Sequence, residues 1–329
     1  MKLHENRQLF ADAVRVTSET MGIAPEFVEK DYWICQILQN LSRHQDSGSM
    51  VWKGGTSLSK AYSLIQRFSS DVDFAVVAEG LSQNQLKKLV TRIGKETTAD
   101  LTEIEVEGQT HKSTRYRKTY HQYESVITER NARYSFLGNH VVVEINTYGN
   151  PYPYVKKEIH TFITDMMVQR GLNDMIHEMD MVPFTLNVLD KRRTLCEKVV
   201  SLLRFSFEDD PIQGLSAKIR HFYDLHFLTH DPECMEYLKT EFAQNLLELI
   251  EHDKREYDRP PLWSDADLRT SILFTGFNSL WQKIAPQYQT EVGALSYGEM
   301  PDKEEIATST KELLELVIEI IAKGGIKDS

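Results

Sequence analysis

An α+β protein is predicted, with a mixed sheet and flanking helices followed by a mostly helical C-terminal half. Three observations lead there. Short runs at residues 50–52, 71–77, 114–126, 141–147 and 184–189 have the alternating or wholly apolar character of strands. Apolar residues at helical spacing fill 5–21 and 26–41 and recur through almost everything after 190. The chain has 329 residues, 41% hydrophobic and 26% charged, which supports a sizeable folded core rather than disorder.

In chain order, the helix at 5–21 places Leu9, Phe10, Ala13 and Val14 on one side. Gly22 and Pro25 separate it from the helix at 26–41, striped by Phe27, Ile34, Ile37, Leu38 and Leu41. A polar break at 42–49 leads into the apolar 50–52, the Gly54-Gly55 turn and a helix at 57–65. After the strand at 71–77 come an amphipathic helix at 81–97, a strand at 114–126 rich in Tyr, Thr and Arg, and a strand at 141–147. Gly149, Asn150, Pro151 and Pro153 form a turn cluster. Beyond the strand at 184–189, Asp190 is placed to cap a helix at 191–205. Further helices are expected at 215–229, 235–253, 265–284 and 302–323. The domain reading is a helical segment over 1–49, an α/β core over 50–190, and a helical domain over 191–329 that contributes to the active site.

Several classes drop out. No apolar run approaches the roughly 20 residues needed to span a bilayer. The polar, mixed-charge start does not read as a signal peptide. Cys35, Cys196 and Cys234 are far apart and odd in number, so they suggest neither a disulfide framework nor a zinc motif and fit a reducing cytoplasm. The net charge of −11 argues against nucleic-acid binding over the whole surface; any RNA contact needs a local basic patch.

Asp71-Val72-Asp73-Phe74 is the most informative tetrapeptide. Alternate residues of a strand share a face, so Asp71 and Asp73 point one way, and Val72 and Phe74 point into a core. Two neighbouring carboxylates repel unless a cation lies between them, and Mg²⁺ binds through one or two carboxylates plus substrate phosphates. Glu144, in Val141-Val142-Val143-Glu144-Ile145, is the best candidate for a third ligand completing a two-metal site. On its own the Asp pair reads more readily as two solvated acids on a strand edge. The upstream run Lys53-Gly54-Gly55-Thr56-Ser57 shifts the balance. Glycines let backbone approach a phosphate, the first N–H groups of a helix are unpaired, and Thr56 and Ser57 add hydroxyls. The alternative is an ordinary Gly-Gly turn, and the spacing is not that of a P-loop.

A Gly-Gly turn, a helix and a strand bearing Asp-x-Asp together resemble the signature of the DNA-polymerase-β-like nucleotidyltransferase superfamily. The wider string, Lys53-Gly54-Gly55-Thr56-Ser57-Leu58-Ser59-Lys60 followed by Arg67, Ser69, Ser70 and Asp71-Val72-Asp73-Phe74, resembles more narrowly the AbiEii family of nucleotidyltransferase toxins. Glu29-Lys30-Asp31-Tyr32-Trp33 resembles the acidic-aromatic helix preceding the cradle in that family. Arg193-Thr194-Leu195-Cys196-Glu197-Lys198 resembles its lysine motif, and Lys218-Ile219-Arg220-His221-Phe222-Tyr223-Asp224-Leu225 its later aspartate motif.

The resemblance implies a metal-dependent nucleotidyltransferase that moves an NMP from an NTP to an acceptor, tRNA in some relatives. It implies Mg²⁺ or Mn²⁺ as cofactor, a cognate antitoxin as partner, and a role in a toxin–antitoxin or phage-defence system. The catalytic set is then Asp71, Asp73, Lys198 and Asp224. The nucleotide-binding set is Lys53, Gly54, Gly55, Thr56, Ser57, Arg67, Ser69, Ser70 and Lys198. The metal set is Asp71, Asp73 and Glu144.

Read from the residues alone, each has a plainer role. Lys198 is a mid-helix lysine whose stem packs while its amine reaches water, Asp224 pairs with Arg220 one helical turn away, and Arg67, Ser69 and Ser70 form a polar loop. His226 and His230, one turn apart near His221, would suit a metal pair but lack a patterned third ligand. The run from Lys112 to Arg133 interleaves Arg115, Arg117, Lys118, Arg130 and Arg133 with Tyr116, Tyr120 and Tyr123, which suits RNA or merely a solvated strand face. Lys191, Arg192 and Arg193 form a second basic cluster. The rival functions are a protein-modifying (AMPylating) enzyme of the same fold, a non-catalytic nucleotide-binding regulator, and a helical interaction module.

Overall fold

The computed structural model describes residues 1–257 and 259–324. They fall into two compact units: residues 1–63 with 68–189, and residues 64–67 with those from 190 onward.

The first unit is α+β. Its helices are α1 (Arg7–Met21), α2 (Pro25–Arg43), α3 (Gly55–Lys60), α4 (Gln83–Thr97), α5 (Phe162–Gln169) and α6 (Asn173–Glu178). Its strands are β1 (Met50–Lys53), β2 (Asp71–Val76), β3 (Thr102–Ile104), β4 (His111–Lys112), β5 (Tyr116–Gln122), β6 (His140–Asn146), β7 (Tyr154–Ile159) and β8 (Phe184–Leu189). They form one mixed sheet in the order β3-β5-β6-β2-β1-β8-β7, with β4 pairing on β5. The central pair β2–β6 is parallel, as is β1–β8, and β1–β2 and β5–β6 are antiparallel.

Strand alternation fixes the two faces of this sheet. Val72, Phe74 and Val76 of β2 and Val141, Val143 and Ile145 of β6 share one face and are fully buried. That face is covered by α2 and α4; Gly94 of α4 lies against Ile145 and Arg117. The opposite face carries Asp71 and Asp73. Helix α1 begins at Asn6, whose side chain accepts from Leu9 N, and ends at Gly22 in the left-handed region. Helix α4 opens with a capping box of Ser82 and Gln85.

The second unit is helical: α7 (Lys191–Phe205), α8 (Pro211–Ser216), α9 (Ile219–His230), α10 (Pro232–Lys239), α11 (Phe242–Glu256), α12 (Ile272–Thr275), α13 (Phe277–Gln287), α14 (Gly293–Leu295) and α15 (Lys303–Gly324). Helix α7 packs on α9 and α11, and α15 lies along the same two. The segment 64–67 joins this unit through a bridge from Arg67 to Ser296 and a bond from Tyr297 N to Gln66 O at 3.0 Å.

Some expected elements are corrected. The helix at 57–65 is only α3, ending at Lys60. The helices at 215–229, 235–253 and 265–284 are each broken. Asp210-Pro211 and Asp231-Pro232 start α8 and α10 by side-chain capping, Lys218 leaves helical backbone before α9, α10 stops at Lys239 and α11 starts only at Phe242, and Ser271 caps α12. Hydrophobic periodicity runs on through such breaks of one or two residues and does not register them. Strands β3, β4 and β7 and helices α5 and α6 were not foreseen. Among the described residues no helix is long and apolar enough to cross a membrane.

Candidate active site

The site begins at the turn between β1 and α3. Gly54 has φ +86°, and a Cβ there would run into the Asp73 carboxylate. Glycine is therefore needed both for the backbone shape and for the closeness of turn and carboxylate. Thr56 Oγ1 donates to Asp71 O at 2.6 Å, and Ser57 Oγ donates to Gly54 O at 2.8 Å. These two buried hydroxyls fix the turn against β2. Ser70 Oγ donates to Asp71 Oδ1 at 3.1 Å, and Ser69 is buried.

Register then builds a polar row across four strands. Lys53 of β1 stands opposite Asp73, Asp73 opposite Glu144, and Glu144 opposite Lys118 of β5. Residues in register share a face, so the row alternates cation, two carboxylates, cation. Glu144 is held on both oxygens: Lys118 Nζ lies 2.8 Å from Oε1, and Tyr116 OH donates to Oε2 at 2.8 Å. Burial works against the Lys118 charge, but the bond to Glu144 outweighs it and raises the lysine above its ordinary value. Burial and the Glu144 charge together push the Tyr116 phenol up.

Behind Asp71 stands Lys30 of α2. It is 1% exposed and donates to Leu137 O, and burial lowers it to about 8 against the pull of Asp71. The rest of this polar stretch is also buried and used. Glu26 accepts from Asn131 N at 2.8 Å, Glu29 from Ser125 Oγ at 2.7 Å and Val126 N at 2.6 Å, and Asp31 pairs with Lys60 at 2.7 Å. Helix α2 thus braces the 125–137 loop that enters β6.

The second unit holds its own charged cluster. Asp224 is fully buried, clamped by Arg67 through Nε at 2.7 Å and Nη2 at 2.6 Å, with Lys198 Nζ 2.6 Å from Oδ2. Burial would raise the Asp224 carboxyl, but Arg67 and Lys198 overcome it and hold it below its ordinary value. Burial lowers Lys198, with Arg67 adding repulsion. His221 is pushed well down by burial, with Lys198 and Lys218 adding to it.

The sequence profile described as "Nucleotidyl transferase AbiEii toxin, Type IV TA system" matches residues 36–309. The chain belongs to the AbiEii family. It is accordingly a nucleotidyltransferase of the toxin class found in type IV toxin–antitoxin systems. Among solved structures it is similar to MenT4, a nucleotidyltransferase toxin from Mycobacterium tuberculosis H37Rv. Identity is 15%, over 94% of this chain and 98% of that one, with a TM-score of 0.42. No curated protein matches it.

In this AbiEii chain, Lys53, Gly54, Gly55, Thr56, Ser57, Asp71, Asp73 and Glu144 come together on one face of the sheet, with Ser70 beside Asp71. Arg67 is the bidentate partner of Asp224 in the helical unit. Asp224 does not pair with Arg220, which meets Glu291 at 3.3 Å. The basic-aromatic run from 112 to 133 is not one surface. Strand alternation sends Arg117 to the face packed on α4 and Lys118 to Glu144; Lys112 pairs with Glu103 at 2.6 Å, and Arg130 lies 3.7 Å from Glu29. Lys191 and Arg192 pair with Asp231 and Asp190, each at 2.8 Å. His226 meets Ser309 Oγ at 2.9 Å and His230 meets His226 O at 2.7 Å. Among the described residues no group of three or more His, Cys, Asp or Glu is drawn together closely enough to hold a metal. Sequence reasoning missed Tyr116 and Lys118 as neighbours of Glu144. The period-two spacing of Tyr116, Lys118 and Tyr120 was the available signal.

Proposed function

We propose that this toxin transfers a nucleoside monophosphate from an NTP to a hydroxyl of an acceptor RNA, tRNA being the acceptor class the family suggests, and that the sheet face around Asp71 and Asp73 is where it does so. The observation that carries this reading is the seating of the Gly54 turn directly on the Asp73 carboxylate. Backbone able to approach a phosphate and a carboxylate able to hold a cation are thereby placed side by side.

Asp71 and Asp73 fit a hard divalent ion, Mg²⁺ or Mn²⁺, because they offer only oxygen donors from one face of one strand. Two protein carboxylates with the remaining ligands from phosphate and water is the habit of Mg²⁺, and no larger acidic cage is needed. Bound there, the ion would neutralise charge on the triphosphate and on the departing pyrophosphate. Gly54 and Gly55 would admit the phosphates to backbone N–H groups. Thr56 and Ser57, committed to Asp71 O and Gly54 O, would keep the turn rigid. Lys53 would add positive charge at the same end of β1. Positioning and electrostatics then carry the rate. Lys198 and Asp224 enter on the family motifs: Lys198 as a phosphate-directed charge, Asp224 as the group that orients it. A cognate antitoxin would restrain the activity.

The test is incubation with each labelled NTP, Mg²⁺ and total tRNA. Label on tRNA is expected. Label on protein instead would favour the AMPylating alternative, and NTP bound without any transfer would favour a regulator.

A further inference from the structure

Glu144 lies beside Asp73 in register, where a third metal ligand would be sought. Its two oxygens are nevertheless already engaged by donors from β5. Tyr116 and Lys118 occupy alternate positions of that strand, so both side chains reach Glu144 from the same face, and the pairing is built into the register rather than into a mobile loop. The Lys118 and Glu144 side chains are only 27% and 24% exposed, so water screens them little. A divalent ion placed on Glu144 would therefore stand beside a fixed ammonium of like charge. The local charge balance points the same way. Asp71, Asp73 and Glu144 face Lys53 and Lys118, and Lys30 stands behind Asp71, so three cations match three carboxylates before any ion binds. One divalent ion already tips this balance positive, and a second finds no unmet negative charge on the protein.

We propose that Lys118 is a built-in counter-charge standing in for a second divalent ion: with Tyr116 it satisfies Glu144, and the site binds one divalent cation, through Asp71 and Asp73. This rests on the nucleotidyl-transfer reading above and narrows it to a one-ion site. Lys118 is a positioning residue in this account, acting through Glu144.

The experiment is titration of Mn²⁺ onto the full-length chain, with free ion read by electron paramagnetic resonance. It is run alone and with the α,β-methylene analogue of each common NTP, which cannot undergo nucleotidyl transfer. The wild-type chain should bind one ion, Lys118→Met two, and Lys118→Arg one. Glu144→Gln should keep its single ion, because Glu144 is not a ligand. Two ions on the wild-type chain, one ion on Lys118→Met, or loss of the ion in Glu144→Gln would each overturn the inference. Circular dichroism checks that Lys118→Met is folded; if it is not, the wild-type and Glu144→Gln stoichiometries decide. The underlying reading fails separately, and is recognised separately, if Asp71→Asn/Asp73→Asn binds Mn²⁺ as the wild-type chain does.

Discussion

At the scale of single residues, Gly54 and Asp73 act as a pair. Gly54→Ala forces an L-residue to φ +86° and drives its methyl against the Asp73 carboxylate. With ψ −169° this backbone region is essentially confined to glycine, and the backbone part alone costs about 1–3 kcal/mol. We expect a melting point lower by several degrees and a loss of transfer larger than that destabilisation explains; wild-type activity in Gly54→Ala would count against the seating of the turn. Asp73→Asn should melt near wild type and transfer nothing. Asp224 is the corresponding residue of the helical unit. Asp224→Asn leaves two buried cations without their anion, and breaking a buried pair typically costs about 3–5 kcal/mol. The Asp224 carboxyl is depressed in the fold, so its stabilisation is fully present above the ordinary carboxylate pKa of about 4 and is lost as pH falls through its folded value. Urea unfolding should therefore show the gap between wild type and Asp224→Asn shrinking as pH drops below about 4. A gap independent of pH there would contradict the ion-pair account.

At the scale of elements, α2 shows how a helix can be buried on nearly every side and still be polar. Glu26 and Glu29 end on backbone N–H groups of the 125–137 loop, while Asp31 takes Lys60 and the backbone N–H of Phe162. Glu29→Gln should weaken the bond to Val126 N by about 1 kcal/mol or more. Hydrogen exchange should report faster exchange at Val126 and its neighbours; unchanged protection would mean the loop is held by something else. Much of this layout was legible in the sequence. Strong apolar stripes gave α1, α2, α4, α7 and α15 nearly to the residue, and the Asp-x-Asp alternation gave β2. The breaks inside the later helices were not legible, because a cap such as Ser271 competes with a periodicity that continues across it. The basic-aromatic run, open in the sequence between an RNA face and a solvated strand face, is divided by the strand alternation that separates Arg117 from Lys118. The Arg67–Asp224 clamp joins residues 157 apart in sequence, and no local pattern encodes that.

At the scale of the whole molecule, the chain leaves its first unit for four residues and then returns. The segment 64–67 supplies Arg67 to the helical unit, between the cradle helix and the strand of the Asp pair. A fragment beginning at Asp190 would lack Arg67 and leave buried Asp224 with Lys198 alone. It should melt without a cooperative transition, whereas a sharp wild-type-like transition would show the clamp to be dispensable. With a net charge of −11 and many of its cations in ion pairs, the protein is not built to hold RNA over a broad surface, so its chemistry rests on the site itself. The most direct test of that chemistry is to compare α- and γ-labelled NTPs in the presence of Mg²⁺ and tRNA, with wild type and Asp73→Asn side by side. The account predicts that α-label passes to the RNA, γ-label leaves as pyrophosphate, and Asp73→Asn transfers neither; transfer of the γ-label, or full activity in Asp73→Asn, would contradict it.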